Sequence, residues 1–531
     1  MPAAEIYSKL GDPAPYRAID MRASGKSFQV EEFGVFDSGA KASDIDLRTP
    51  FPGPSTSRWP AGDYSVYLMQ PHLLFATGGS FVSNWVWEDT THVLFPWGVT
   101  NANDNTPLRH LFAYRDESYF LGHFQPQFNL PKVLVVIPKA HVMKDHEAVV
   151  PYGWGFETPT YVNGIMNALF EHEVQFAVID DVDLDKLPNE PRVLIYPDPV
   201  YASNEVLTKL RSRVMAGDDL FLTGDFSQPL EAGGERQTTF FSELAGLRWL
   251  ADYPAGSEIP IVPVEGAGLV NPYLGHPLSK FQAEGGRALA TDSAGNVITA
   301  MNELGRGHVF FTSDGGLDGA RRGLDVFLAM RSVPSVAMSP KMPHREIFEI
   351  DREGGGKIYT LLATNPGGEE AGSAGPWIEH PESFVVNVGG KNVHLPLGVY
   401  GVSLFAVRED GSIDALEGQG KFSVDGTELL DAQPHVMAMA LDDVALTKSH
   451  AVAMFPIGAG RISIAALSDV DLVEVGEPGA NQFHPLEEIA TSRQEGRLTF
   501  QIDDVQSRGV LLITSKTNRD HARQLMNAAL Q

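Results

Sequence analysis

The chain has 531 residues, 43% apolar and 20% charged, enough for roughly three domains of about 100–200 residues with ordinary cores. A formal net charge of −28 argues against nucleic acid or anionic membranes as partners, since both need basic surfaces. The absence of cysteine excludes disulfides, thiol nucleophiles and thiolate metal sites together. No basic region followed by an apolar core opens the chain, and no apolar run approaches the roughly 20 residues that span a bilayer. A soluble, cytoplasmic protein is expected.

Residues 1–26 read as the tail of a helix and a loop. Ser27 to Phe36, SFQVEEFGVF, read as a short buried strand with a tight exit at Phe33-Gly34. Alternation puts Phe28, Val30 and Glu32 on one face and Gln29, Glu31 and Phe33 on the other. A carboxylate sharing a face with Phe and Val needs partners or a task, which makes Glu32 the first candidate. A solvated or Arg-paired Glu at a strand mouth satisfies the same pattern. Asp37 to Pro60 is a long loop rich in Gly, Pro, Ser and Asp, and Asp63 to Phe75 has helical spacing interrupted by Pro71. Gly78 to Gly98, GGSFVSNWVWEDTTHVLFPWG, reads as a strand with Trp85 and Trp87 on one face, then a loop. Flat indole faces suit the apolar C–H face of a pyranose, though two Trp on a strand also suit a core. Leu108 to Phe124 reads as a helix.

Lys132 to Pro138, KVLVVIP, is a continuous run of the kind that forms a fully buried parallel strand. An amphipathic helix (Thr160 to Glu173) follows, then strands at Val174 to Asp180, Arg192 to Asp198 and Asp218 to Asp225. A helix at Asn204 to Met215 has Ser203 as N-cap and Gly217 as its terminating glycine. A late strand lies in Gly305 to Gly316 and a closing helix in Gly319 to Met330. Strand–helix alternation with short connections predicts a doubly wound, flavodoxin-like sheet. His141, His146 and His172 match no zinc spacing. No metal and no cofactor is assigned. From Pro334 on, short strands separated by Gly, Asp, Asn and Pro predict one or two β-sandwiches.

Glu32-Phe33-Gly34 followed by the Trp85/Trp87 segment resembles the last two strands of the (β/α)8 barrel in family 42 β-galactosidases and their clan. The following α/β segment, with RVLIYPDPVYASNEVLTKLRSRVMAGDDLFLTG, resembles the amidotransferase-like trimerisation domain of those enzymes. The resemblance implies an α/β plus all-β architecture in three parts. Residues 1–126 would be a partial barrel with strands 7 and 8, residues 127–333 the amidotransferase-like domain, and residues 334–531 the β-sandwich part. It implies a retaining glycoside hydrolase acting on β-linked sugars, with Glu32 as nucleophile and Trp85 or Trp87 as pocket wall. Asp37, Glu88, Asp89 and Asp104 on the flanking loops would bind sugar hydroxyls. The family's acid/base, a Glu after Asn at a strand mouth, has no counterpart: Asn189-Glu190, Asn204-Glu205 and Asn302-Glu303 all fall in the second segment. With Met1 inside the sixth βα unit, three explanations stand: a second polypeptide completing the barrel, two copies exchanging halves, or loss of the catalytic half. Homo-oligomerisation through the amidotransferase-like domain is also implied. The competing class is a non-catalytic scaffold or carbohydrate-binding subunit.

Overall fold

The computed structural model describes residues 3–7, 28–34, 71–72, 75–76, 79–84, 109–127, 129–140, 160–228, 234–266, 271–315, 317–342, 345–363, 381–479 and 482–531. They divide into two compact units. One comprises residues 1–18, 26–129 and 336–531, and the other residues 19–25 and 130–335.

The first unit begins with three strands, β1 (Ala3–Tyr7), β2 (Phe28–Gly34) and β3 (Gly79–Asn84), in a parallel sheet of that order. The expected helical tail near the N-terminus is thus corrected in part. AAEIY is a strand, because an extended segment here completes the open edge of β2. Helix α1 (Arg109–Gly122) matches the predicted closing helix. Its buried positions Ala113, Asp116, Glu117 and Phe120 follow i, i+3, i+4, i+7, so two carboxylates share the core face with Phe120.

The second unit carries the predicted alternation. Strand β4 (Val133–Ile137) is buried at every position and is followed by helix α2 (Thr160–Glu171) and strands β5 (Phe176–Asp180) and β6 (Val193–Tyr196). Helix α3 (Asn204–Ala216) starts where the Ser203 hydroxyl accepts from the Val206 N–H at 3.2 Å. It stops at Gly217, whose φ of +124° favours glycine and whose N–H bonds back to Val214. Val206, Leu207, Leu210 and Val214 form its buried face. After β7 (Asp219–Thr223), strand β8 (Val297–Leu304) turns back through β9 (Gly307–Thr312) into helix α4 (Leu317–Arg331). The parallel strands lie side by side as β5-β4-β6-β7-β9, the 2-1-3-4-5 order of flavodoxin-like sheets. Antiparallel strands from β8 outward extend this sheet. Phe226, Phe241, Phe281 and Phe311 fill the core on one side of it.

The chain then returns to the first unit as antiparallel β structure, as its turn-separated segments predict. Strands β10 (Arg345–Arg352), β11 (Lys357–Ala363), β12 (Val402–Val407), β13 (Ile413–Val424), β14 (Thr427–Ala440) and β15 (Ala451–Ile457) pair in succession. Strands β16 (Leu472–Gly479) and β17 (Val510–Thr514) continue from β15 in the order β15-β17-β16, and helix α5 (Arg519–Ala529) closes the chain. Helix α1 packs on β14 and β15, with Tyr119 stacked against Phe455 at 6.4 Å between centroids.

Candidate functional site

Glu32 lies on β2, the middle strand of the parallel three. Its register is irregular on both sides. Against β1, Ala4 faces Val30 but Glu5 faces Glu32; against β3, Val82 faces Val30 but Asn84 faces Phe33. Both neighbours therefore see one extra residue in β2 between Val30 and Phe33, which is a β-bulge across Glu31-Glu32. A bulge breaks strict alternation and re-aims the side chains it contains. The faces that the Phe28, Val30 and Glu32 side chains take lie outside what the structure describes. The register also sets Glu5, unnoticed in the sequence, beside Glu32 on the adjacent strand. Strand β3 ends at Asn84. Trp85, Trp87, Asp37, Glu88, Asp89 and Asp104 lie outside the described residues. So do His141 and His146, whereas the third histidine of that group, His172, pairs with Asp325 at 2.7 Å on the surface. The three Asn-Glu pairs all fall in the second unit. Asn204-Glu205 opens α3, and Asn302 is tied by its amide to the Leu244 carbonyl at 2.7 Å.

A second constellation, absent from the sequence reading, sits in the core of the first unit. It comprises His72, Glu117, Glu417 and His435, each 1% exposed or less. Pro71 and His72 are helical, which suits a proline-led first turn, and Phe75 of the same segment packs on Phe124 at 6.2 Å. Helix α1 supplies Glu117. Strand β13 is buried from Ile413 to Gly418 and supplies Glu417. His435 arrives by a bulge: Gly418 and Gly420 of β13 face Val436 and Ala432 of β14, so Gln433 to His435 oppose Gln419 alone, with His435 still paired to Ile457 of β15. Gly418 (φ +146°) permits this, since a Cβ there would meet Ser403 Oγ and Phe422 at 2.9 Å.

The Glu417 carboxylate is held from both sides, by His72 Nε2 at 2.5 Å and His435 Nε2 at 3.0 Å. His72 Nδ1 lies 3.3 Å from Glu117 Oε1. Burial alone would raise the Glu417 carboxyl, but the His72 and His435 rings outweigh it and hold it down to about 2. Burial pushes Glu117 up to about 8, against the opposing pull of His72. Burial would lower His72, yet the Glu417 and Glu117 carboxylates together raise it well above its ordinary value. Neighbouring Asp116 is pushed up to about 7 by burial, although Arg115 pairs with it at 2.7 Å. Asp116 lines a cleft of ≈ 40 Å³ with Phe112, Tyr400, Pro456 and Arg508. That is room for about one or two waters, far below the roughly 300 Å³ or more of a ligand pocket.

No family model and no curated protein matches the sequence. Solved structures do match. The β-galactosidase from Rahnella sp. R3 aligns with a TM-score of 0.54 at 15% identity, over 76% of this chain and 60% of that one. The β-galactosidase from Bacillus circulans sp. alkalophilus gives 0.55 at 14% identity over 76% and 59%. Gan42B, a GH42 β-galactosidase, gives 0.54 at 12% identity over 76% and 59%. Over about three quarters of its length the chain is similar in fold to part of these family 42 β-galactosidases. The chain spans about 60% of the length of those enzymes. No helix among the described residues is long and apolar enough to cross a membrane.

Proposed function

We propose that this chain is a component of a retaining glycoside hydrolase of the family 42 type, acting on β-linked, β-galactoside-like substrates. The observation that carries the reading is the position of Glu32, in a bulge of the central parallel strand just before Phe33-Gly34, within a fold shared with those enzymes. Bulges recur beside active sites because they turn one side chain out of the regular pleat. Glu32 attacks the anomeric carbon as the leaving group departs, forming a glycosyl-enzyme that water then hydrolyses. Trp85 or Trp87 walls the sugar ring, and Asp37, Glu88, Asp89 and Asp104 bind hydroxyls. The acid/base comes from another polypeptide or subunit, because the first unit, which carries β2, contains no Asn-Glu pair. A homo-oligomer forms through the second unit.

The register favours a second reading, in which Glu5 supplies the other carboxyl group. The pairing sets the Glu5 backbone opposite that of Glu32, so this chain carries a second carboxyl-bearing residue on the neighbouring strand. Nitrophenyl β-galactoside hydrolysis by the chain, alone and with the product of the neighbouring reading frame, tests both. Activity that needs the partner, falls at least 10³-fold in Glu32→Gln and survives Glu5→Gln supports partner supply. Activity of the chain alone that Glu5→Gln and Glu32→Gln each abolish supports the internal pair. Galactose binding without hydrolysis in either state makes the chain a carbohydrate-binding subunit and ends the hydrolase proposal.

A further inference from the structure

We propose that the buried cluster of His72, Glu117 and Glu417 binds a divalent transition metal of the zinc class. This inference is independent of the glycosidase reading. One donor atom from each residue lies within 4.8 Å of the others, and all three side chains are sealed from solvent. Were both carboxyl groups ionised, the cluster would place a charge of −2 in a low-dielectric core, which needs compensation. A dication brings the sum to zero.

Glu117 supplies the second observation. It is 1% exposed, and neither of its oxygens has a hydrogen-bond partner among the described residues. Its Oε1 faces His72 Nδ1 at 3.3 Å without hydrogen-bond geometry. Two ligands, each about 2.0–2.1 Å from a tetrahedral zinc, stand roughly 3.3 Å apart. The far side of the ring has the arrangement usual behind a metal-bound histidine. Its Nε2 lies 2.5 Å from the Glu417 carboxylate, with Nδ1 on the side of Glu117. Glu417 is steadied in turn by His435 Nε2 at 3.0 Å. His72 Nδ1 and the Glu117 carboxylate are therefore the contacting ligands, and Glu417 is the positioning residue. Imidazole with carboxylate suits zinc, iron, nickel or copper rather than magnesium or calcium.

The rival arrangement balances the same charge with protons, with a neutral Glu117 and a cationic His72. Metal content separates the two. The full chain, purified without chelator and dialysed against Zn²⁺, is expected to retain about one equivalent by elemental analysis, and Co²⁺ loading is expected to give visible d–d absorption. A strong chelator lowers the Tm of the wild type by several degrees. Glu117→Gln and His72→Gln lower metal affinity at least tenfold, whereas the surface control His172→Gln retains it. A wild-type chain that takes up no Zn²⁺, and whose Tm a chelator does not move, overturns the proposal. Undiminished uptake in Glu117→Gln overturns it too. Should Glu117→Gln not fold, the wild-type metal content and Co²⁺ spectrum decide alone.

Discussion

At the scale of single residues, Glu417 is the side chain whose loss should be felt most. One carboxylate accepts from His72 and His435, and Ser403 Oγ donates to its backbone carbonyl at 2.9 Å. Glu417→Ala leaves two imidazoles buried without their acceptor and opens a cavity beside them. Removing one member of a buried charged network costs about 3–5 kcal/mol. An unfolding free energy lowered by that amount in urea, with a lower midpoint and an unchanged m-value, is the expected result; a change under about 1 kcal/mol would deny the network its structural weight. None of this was legible in the sequence. His72 stands in a stretch whose apolar spacing dominates, and its partner lies 345 residues away. Only the two adjacent acids on the core face of α1, Asp116-Glu117 at the spacing of Ala113 and Phe120, could have given it away.

Helix α5 shows what an element gains from one well-placed acid. Arg519 and Arg523, one turn apart, both reach Glu474 on β16, with Nε contacts at 2.7 and 2.9 Å, while Ala522 and Met526, on the adjoining strip of the helix, are buried. Burial alone would raise Glu474, but the Arg523 and Arg519 guanidiniums outweigh it and hold it below its usual range. A depressed folded-state pKa contributes stability that is present above the unfolded value of about 4.3 and is lost as pH falls through the folded value. The double variant Arg519→Ala/Arg523→Ala should therefore be less stable by about 1–3 kcal/mol at pH 7, discounted for the partly exposed guanidiniums. The difference from wild type should shrink as pH drops below about 4. Denaturation at both pH values checks it, and a pH-independent gap would assign the effect to lost packing. Elements with local chemistry were legible in advance. Ser203 and Gly217 bound α3 because capping acts within one turn, and VLVVI announced a buried parallel strand. Strand β1 and the bulge at Glu31-Glu32 were not legible, since both depend on which strands lie alongside.

At the scale of the molecule, the division into two units joins what the sequence separates. The β structure after residue 336 belongs to the same compact unit as α1 and the N-terminal strands. Pro126-Gln127 pairs with Asp351 and Arg352 at the edge of its sheet, and Asn129 reaches Asp351 at 2.8 Å. Glu117 and His72 come from one end of the chain, Glu417 and His435 from the other. The C-terminal strands are therefore not an appended module. Without α1, the β14 and β15 surface would expose Phe455 and leave the Glu417 pair open to water, an apolar patch that soluble chains avoid. Residues 130–335 have their own aromatic core and a complete 2-1-3-4-5 sheet. Expressed alone, they should give a cooperative thermal transition and dispersed amide resonances. Residues 336–531 alone should aggregate or bind a hydrophobic dye, and adding residues 63–129 in trans or by fusion should suppress this. Cooperative, dye-free folding of residues 336–531 by themselves would show that the carboxylate–histidine cluster ties together two parts already stable apart.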